Sequence, residues 1–169
     1  MNDSRSRTIW WDQGLWLIDQ TILPEEMHPL KINSIRQLLE AVKSLRVRGA
    51  PALGAAGAYG IALAAQLCRA ASAPEMMAEL ETAAGMIRSA RPTAVNLSWG
   101  VDRAMKAAAC GESREEIREK SLAEAEEIAT EDIRVNQLLG KFGARLLRDG
   151  DNVLTHCNAG RLACVGWGT

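Results

Sequence analysis

VRGAPALGAAGAYGIALAAQL, residues 47–67, is the stretch on which the reading of the whole chain turns. Val47-Arg48-Gly49-Ala50-Pro51 interrupts the helical pattern before it, because proline disfavours the helical conformation in the preceding residue. Pro51 is also a favourable first-turn residue, so a helix is expected to open there and run through the small residues that follow. Gly54, Gly57 and Gly60 fall three apart and are expected on one face of it. Each glycine costs helix propensity. Tight packing against another element, within one subunit or between two, is the expected compensation.

Working toward the N-terminus, Asn33 or Ser34 can cap a helix. Ile35, Leu38, Leu39 and Val42 then recur at helical spacing, which predicts a helix ending near Leu45 or Arg46. Residues 7–23 read as a β-hairpin. Ile9, Trp10 and Trp11 form one arm, Asp12-Gln13-Gly14 supplies the turn, and Leu15 to Ile18 return. The two tryptophans are expected in the core or at an interface.

Toward the C-terminus, Ser72-Ala73-Pro74-Glu75 is a capping signal for a helix that ends before Arg91-Pro92. Another is expected from Ala94 or Val95 to Ala109, closed by Gly111. Ser113 caps a long charged helix with Ile117, Leu122, Ala125 and Ile128 on its apolar stripe and a break near Asp132. A last short helix or helix end covers 140–148. Asn152 to His156 then reads as a buried parallel strand, followed by a tight Cys157-Asn158-Ala159-Gly160 loop and a helix, which is how an α/β domain begins. The expected fold class is therefore α/β overall. Residues 1–145 form a mainly helical N-terminal domain carrying the hairpin, and residues 146–169 begin a Rossmann-like domain. The chain stops at Gly166-Trp167-Gly168-Thr169, within a Gly-rich segment, and reads as cut before that second domain is complete.

Apolar residues make up 47% of the chain and charged residues 24%, with a formal net charge of -1. A packed core is expected, and the basic stripe of a nucleic-acid binder is missing. No uninterrupted apolar run reaches the roughly 18 residues of a membrane helix. The first residues lack an apolar signal core, so the expectation is a cytoplasmic protein with no nucleic-acid or membrane partner. Cys68, Cys110, Cys157 and Cys164 are widely spaced without a CxxC, and only His28 and His156 accompany them. Neither a disulfide framework nor a metal site is expected. Cys68 reads as a buried thiol.

Three segments can carry chemistry. Arg48-Gly49-Ala50 precedes a Pro-started helix. A guanidinium, a glycine that admits an oxyanion and free helix N–H groups suit a phosphate; a plain interhelix turn is the other reading. Arg91-Pro92-Thr93 also lies between helices, where Arg91 can bind an anion and Thr93 or Asn96 can cap or bind a hydroxyl, or all can be structural. Cys157 follows a strand-like run, where open α/β sheets place ligands and a helix N-terminus favours a thiolate. A buried thiol in a turn is the alternative. His156 is a poor partner for it, since neighbouring strand side chains point to opposite faces.

WDQGLWLIDQTILP, VRGAPALGAAGAYG, RPTAVNLSWGVDRA and THCNAGRLACVGWGT resemble, in order, the successive signatures of the methylthioribose-1-phosphate isomerases. Their wider superfamily includes the regulatory subunits of translation initiation factor 2B and ribose-1,5-bisphosphate isomerase. The resemblance implies substrate-binding roles for Arg48, Gly49, Ala50 and Arg91, and a catalytic role for Cys157. It implies an aldose–ketose isomerisation of a small-molecule sugar phosphate in methionine salvage, without cofactor or metal, in a homodimer. A catalytic aspartate and further binding residues would come from a C-terminal Rossmann-like domain. Asp149 and Asp151 do not match that aspartate. Arg161-Leu162 departs from the small or apolar residue expected after Gly160.

Overall fold

The computed structural model describes residues 7–168. Three antiparallel strands, β1 (Ile9–Trp11), β2 (Leu15–Asp19) and β3 (His28–Ile32), lie in the order β1-β2-β3. Five helices follow: α1 (Ile35–Lys43), α2 (Ala50–Leu67), α3 (Ala73–Ala90), α4 (Val95–Ala108) and α5 (Arg114–Gly143).

The hairpin forms as expected, with Ile9 opposite Leu17 and Trp11 opposite Leu15. The sequence reading missed β3, which pairs Ile32 with Leu15 and His28 with Asp19. HPLKI contains a proline and alternates weakly, so little in it signals a strand until β2 offers an edge. Strand alternation splits the tryptophans between two faces. Trp11 stacks on Tyr59 of α2 at 6.2 Å between ring centroids. Trp10 stacks on Trp16 on the other face, with the Lys31 ammonium 5.3 Å above the Trp16 ring.

α2 is the central element, packed by α1, α3, α4 and α5. Fourteen of its 18 residues are buried. Its length and apolarity would suit a membrane span, but that surface is spent inside the protein. The three glycines do not share one partner. A β-carbon on Gly57 would meet the Leu97 carbonyl of α4 at 2.3 Å, whereas one on Gly60 would meet Leu38 of α1 and Ile87 of α3. At about 100° per residue, each step of three turns the glycine about 60° around the axis, which spreads them across two interfaces. α4 contributes its own glycine to the closest approach: a β-carbon on Gly100 would fall 1.9 Å from the Gly54 carbonyl oxygen.

Serines cap three helices by accepting main-chain N–H groups: Ser34 from Gln37, Ser72 from Glu75 and Ser113 from Glu116. The Tyr59 hydroxyl, deep in the core, donates to Glu126 Oε1 at 3.0 Å, and Arg7 pairs with the same carboxylate at 3.5 Å. Burial, with Glu126 alongside, pushes the Tyr59 hydroxyl far above its ordinary pKa.

Two stretches toward the C-terminus depart from the expectation. α5 runs without a break through Asp132 to Gly143, and only a 3-10 turn at Ala144–Leu146 extends it. The Asp132 carboxylate accepts from Asn136 one turn further along the same helix and from the Val165 main chain. Residues 152–156 form no strand, and a 3-10 turn, Arg161–Ala163, stands where a helix was expected. A parallel strand needs a neighbour for its hydrogen bonds, and the described residues place none beside it. Val153 and Leu154 are accordingly 68% and 98% exposed.

Candidate functional site

The three chemistry-bearing segments, remote in sequence, meet around one cleft of about 520 Å³. Arg48, Gly49 and Ala50 line it from the start of α2, Arg91 and Thr93 from the turn before α4, and Cys157 with Asn158 from the C-terminal loop. The structure thus brings together every residue singled out from sequence as a site candidate.

Each segment is placed by local physics. Gly49 caps α2 with φ 98° and ψ 137°, a conformation open mainly to glycine, and its carbonyl accepts the Leu53 N–H at 2.9 Å. Ala94 caps α4, whose first turn is closed by Leu97 N–H donating to the Ala94 carbonyl at 2.9 Å. Unlike α1, α3 and α5, neither α2 nor α4 has a side chain capping its N-terminus. Both uncapped ends open on the cleft. Free N–H groups and the positive end of the helix dipole there favour an anion. Arg48 and Arg91 add cationic charge, and neither has an ion-pair partner among the described residues.

Cys157 is an exposed free thiol held at φ 70°. Left-handed backbone at a residue other than glycine concentrates at functional positions. The segment just beyond it is stitched to the N-terminal part of the fold. The Thr8 hydroxyl donates to the Arg161 carbonyl at 3.1 Å and the Gln20 amide to the Leu162 carbonyl at 2.9 Å. The main chain of Thr8 donates to the Val165 carbonyl at 2.6 Å, and Val165 N–H donates to Asp132 Oδ2 at 2.7 Å. Ala163, Cys164 and Val165 are buried as a result. Burial raises the Asp132 carboxyl above its ordinary pKa, against the Val165 and Asn136 hydrogen bonds, which lower it.

Sequence reasoning missed two groups of residues here. The first is the apolar wall of the cleft: Leu45, Leu53, Ala94 and Val95. The second is the set of anchors Thr8, Gln20 and Asp132. Asp132 did carry a signal. Ala125, Ala129, Asp132 and Asn136 follow each other at intervals of four, three and four, so two polar residues continue the buried stripe of α5. Polar groups on such a stripe need partners, and Asp132 Oδ1 accepts from Asn136 at 2.9 Å while Oδ2 serves the loop.

Known proteins share this architecture. A solved structure described as translation initiation factor eIF-2B, subunit delta, from A. fulgidus is 55% identical, with a TM-score of 0.89, over 96% of this chain and 48% of its own. The solved 5-methylthioribose 1-phosphate isomerase from Pyrococcus horikoshii is 39% identical, also with a TM-score of 0.89, over 96% of this chain and 46% of its own. A methylthioribose-1-phosphate isomerase from Desulforudis audaxviator is 46% identical over 95% of this chain and 46% of its own length. The chain spans about half the length of the curated relatives it matches. The model of the initiation factor 2 subunit family matches residues 46–165, a range that includes Arg48, Arg91 and Cys157, and the chain belongs to that family.

Proposed function

We propose that this chain supplies one half of the active cleft of an aldose–ketose isomerase, acting on 5-methylthio-α-D-ribose 1-phosphate to give 5-methylthio-D-ribulose 1-phosphate in methionine salvage. The observation that carries the reading is the convergence of Arg48, Arg91, two uncapped helix N-termini and Cys157 on one cleft. An oxyanion-binding site and an exposed thiol are thereby offered to the same small molecule.

The phosphate on C1 blocks a free aldehyde, so the ring must open first. The ring oxygen leaves C1 and gains a proton. C1 gains the hydrogen that leaves C2, and the C2 hydroxyl loses its proton to become the carbonyl. Atoms and electrons balance within the sugar, whether the hydrogen travels as hydride or as a proton through an enediol. Arg48, Arg91 and the helix ends hold the phosphate. Asn158 orients a hydroxyl, and Cys157 stands at the reacting carbons. An aspartate from a Rossmann-like C-terminal domain, which residues 146–169 begin, completes the proton transfers. The exposed Asp149 and Asp151 are assigned no part in it. The enzyme works as a cytoplasmic homodimer without cofactor. Residues 1–169 alone give negligible turnover, because half a cleft cannot hold reacting groups to the required fraction of an ångström.

A second reading has support in the name of the A. fulgidus structure: a regulatory subunit of initiation-factor type. A coupled assay on the full-length protein containing this chain separates the two. Turnover of the thio-sugar phosphate that collapses in Cys157→Ala is the expected result. No turnover by a folded protein would favour the regulatory reading.

A further inference from the structure

Gln20 opens a 3-10 turn, Gln20–Ile22, at the end of β2, and it is 6% exposed. Its two donors hold different segments. The main-chain N–H donates to the Arg46 carbonyl at 3.0 Å, and the side-chain amide donates to the Leu162 carbonyl at 2.9 Å. Arg46 lies two residues before Arg48, and Leu162 lies five residues after Cys157. Thr8, Gln20 and Asp132 all bond the segment after Cys157. Of these three, Gln20 alone also bonds the turn that leads to Arg48.

Both held segments are stiff. The Arg46 guanidinium pairs with Glu40 at 3.0 Å and with Asp19, the neighbour of Gln20, and Val47 is fully buried. On the other side, Arg161–Ala163 is a 3-10 turn closed by the Ala163 N–H on the Gly160 carbonyl at 3.0 Å and the Cys164 N–H on the Arg161 carbonyl at 3.1 Å. A bond between two stiff segments fixes their separation. Filling the space needs no amide, since methionine is of similar length and avoids the cost of burying a polar group. What glutamine adds is a directed bond to one carbonyl. Gln20 does not itself line the cleft, so its effect there passes through the two segments.

We infer that Gln20 is a positioning residue: by bridging the Arg46 and Leu162 main chains, it sets the place of the Cys157 thiol relative to Arg48. This rests on the isomerase reading above. The phosphate is held on the wall formed by Arg48, Arg91 and the helix ends, with or without the bridge. The thiol meets the reacting carbons only while its loop is held. Losing the bridge therefore lowers kcat and spares KM.

Two variants of the full-length protein test this. Gln20→Met keeps the length and removes the donor. It is expected to lower kcat by about 30–100-fold, with KM changed less than about three-fold and the melting temperature lowered by less than about 4 °C. Cys157 also reports its own position, because a nearby guanidinium favours anionic iodoacetate over neutral iodoacetamide. The ratio of the two alkylation rates, followed on the Cys157 peptide by mass spectrometry, is expected to fall by about two-fold or more in Gln20→Met. Gln20→Glu regains a donor when its carboxyl is protonated, the form that burial favours. Its kcat at about pH 6 is expected to exceed that of Gln20→Met by about ten-fold. An unchanged kcat in Gln20→Met overturns this inference and leaves the isomerase reading standing. A lowered kcat with an unchanged alkylation ratio, or with melting temperatures lowered by more than about 8 °C in both variants, makes Gln20 a structural residue and overturns it as well. So does a Gln20→Glu kcat no higher than that of Gln20→Met at the acidic pH. Absence of turnover by the unmodified protein on the thio-sugar phosphate overturns the isomerase reading and this inference together.

Discussion

Gly49 rests directly on Ala163: a β-carbon at Gly49 would lie 2.3 Å from the Ala163 Cα and 2.4 Å from its carbonyl oxygen. The cap of α2, which carries one side of the cleft, is thereby in backbone contact with the segment that follows Cys157 and carries the other. Gly49→Ala would add that clash to a strained φ of 98°. We expect a loss of about 3 kcal/mol of stability, read from urea unfolding, together with a displaced Cys157 loop. Unfolding within about 0.5 kcal/mol of the unmodified protein would mean that the two segments can part at little cost.

Arg48 and Arg91 bring charge to the cleft without an ion-pair partner among the described residues. Arg48→Met and Arg91→Met should therefore leave stability within about 0.5 kcal/mol. In the full-length enzyme each should weaken substrate use by about 10–150-fold, the range for a hydrogen bond to a charged group. Loss of folded protein rather than of kcat/KM would contradict this placement.

Cys157 combines exposure with a φ of 70°. Cys157→Gly is expected to keep or raise stability, by up to about 1 kcal/mol, because glycine meets no Cβ conflict there. Cys157→Ala and Cys157→Gly should both lower kcat by about 100-fold or more. Near-normal kcat in either would remove the thiol from the reaction.

Asp132 predicts a pH dependence whose sign is fixed by its raised folded-state pKa. A carboxyl raised above its ordinary value of 3.8 contributes stability that is fully present below that value. The contribution is lost as pH rises through the higher folded-state value. Unfolding free energies of Asp132→Asn should therefore show a shallower fall with rising pH across that acidic window than those of the unmodified protein. Asp132→Ala leaves the buried Val165 N–H without its acceptor and should cost about 1–3 kcal/mol. Identical pH profiles for the unmodified and Asn forms would show that Asp132 titrates alike in the folded and unfolded chains.

Asp19 works in the opposite direction. Burial pushes its carboxyl upward, but hydrogen bonds from Thr21 and pairing with Arg46 more than offset this and lower its pKa. A depressed folded value gives stability that is present above the unfolded value and lost as pH falls through the folded one. Asp19→Asn should cost about 1–3 kcal/mol at neutral pH and less in acid. Circular-dichroism melts at both pH values read this directly. A cost that is the same at both would assign the effect to shape rather than charge.

Much of the fold was legible because its signals are local. Ser34, Ser72 and Ser113 announced three helices, Pro51 a fourth, and Asp12-Gln13-Gly14 the hairpin turn. Each acts on neighbours within a few residues, so the sequence alone determined where the chain turns and which faces are apolar. It also determined the candidates Arg48, Gly49, Ala50, Arg91 and Cys157, since charge, backbone freedom and thiol chemistry belong to residue types. Partnership was left to the tertiary structure. β3 exists because β2 offers an edge, and residues 152–156 form no strand because no described residue offers one. Gly54 and Gly57 face α4 while Gly60 faces α1 and α3. Asp132 holds Val165 from 33 residues away. Leu45 looks in sequence like an ordinary helix-end leucine, and only the folded chain turns it left-handed toward the cleft. Hydrogen bonds and packing between distant segments depend on distances that no local pattern encodes, so the site's members could be named from the sequence, while their meeting, their anchors and the apolar wall beside them required the fold.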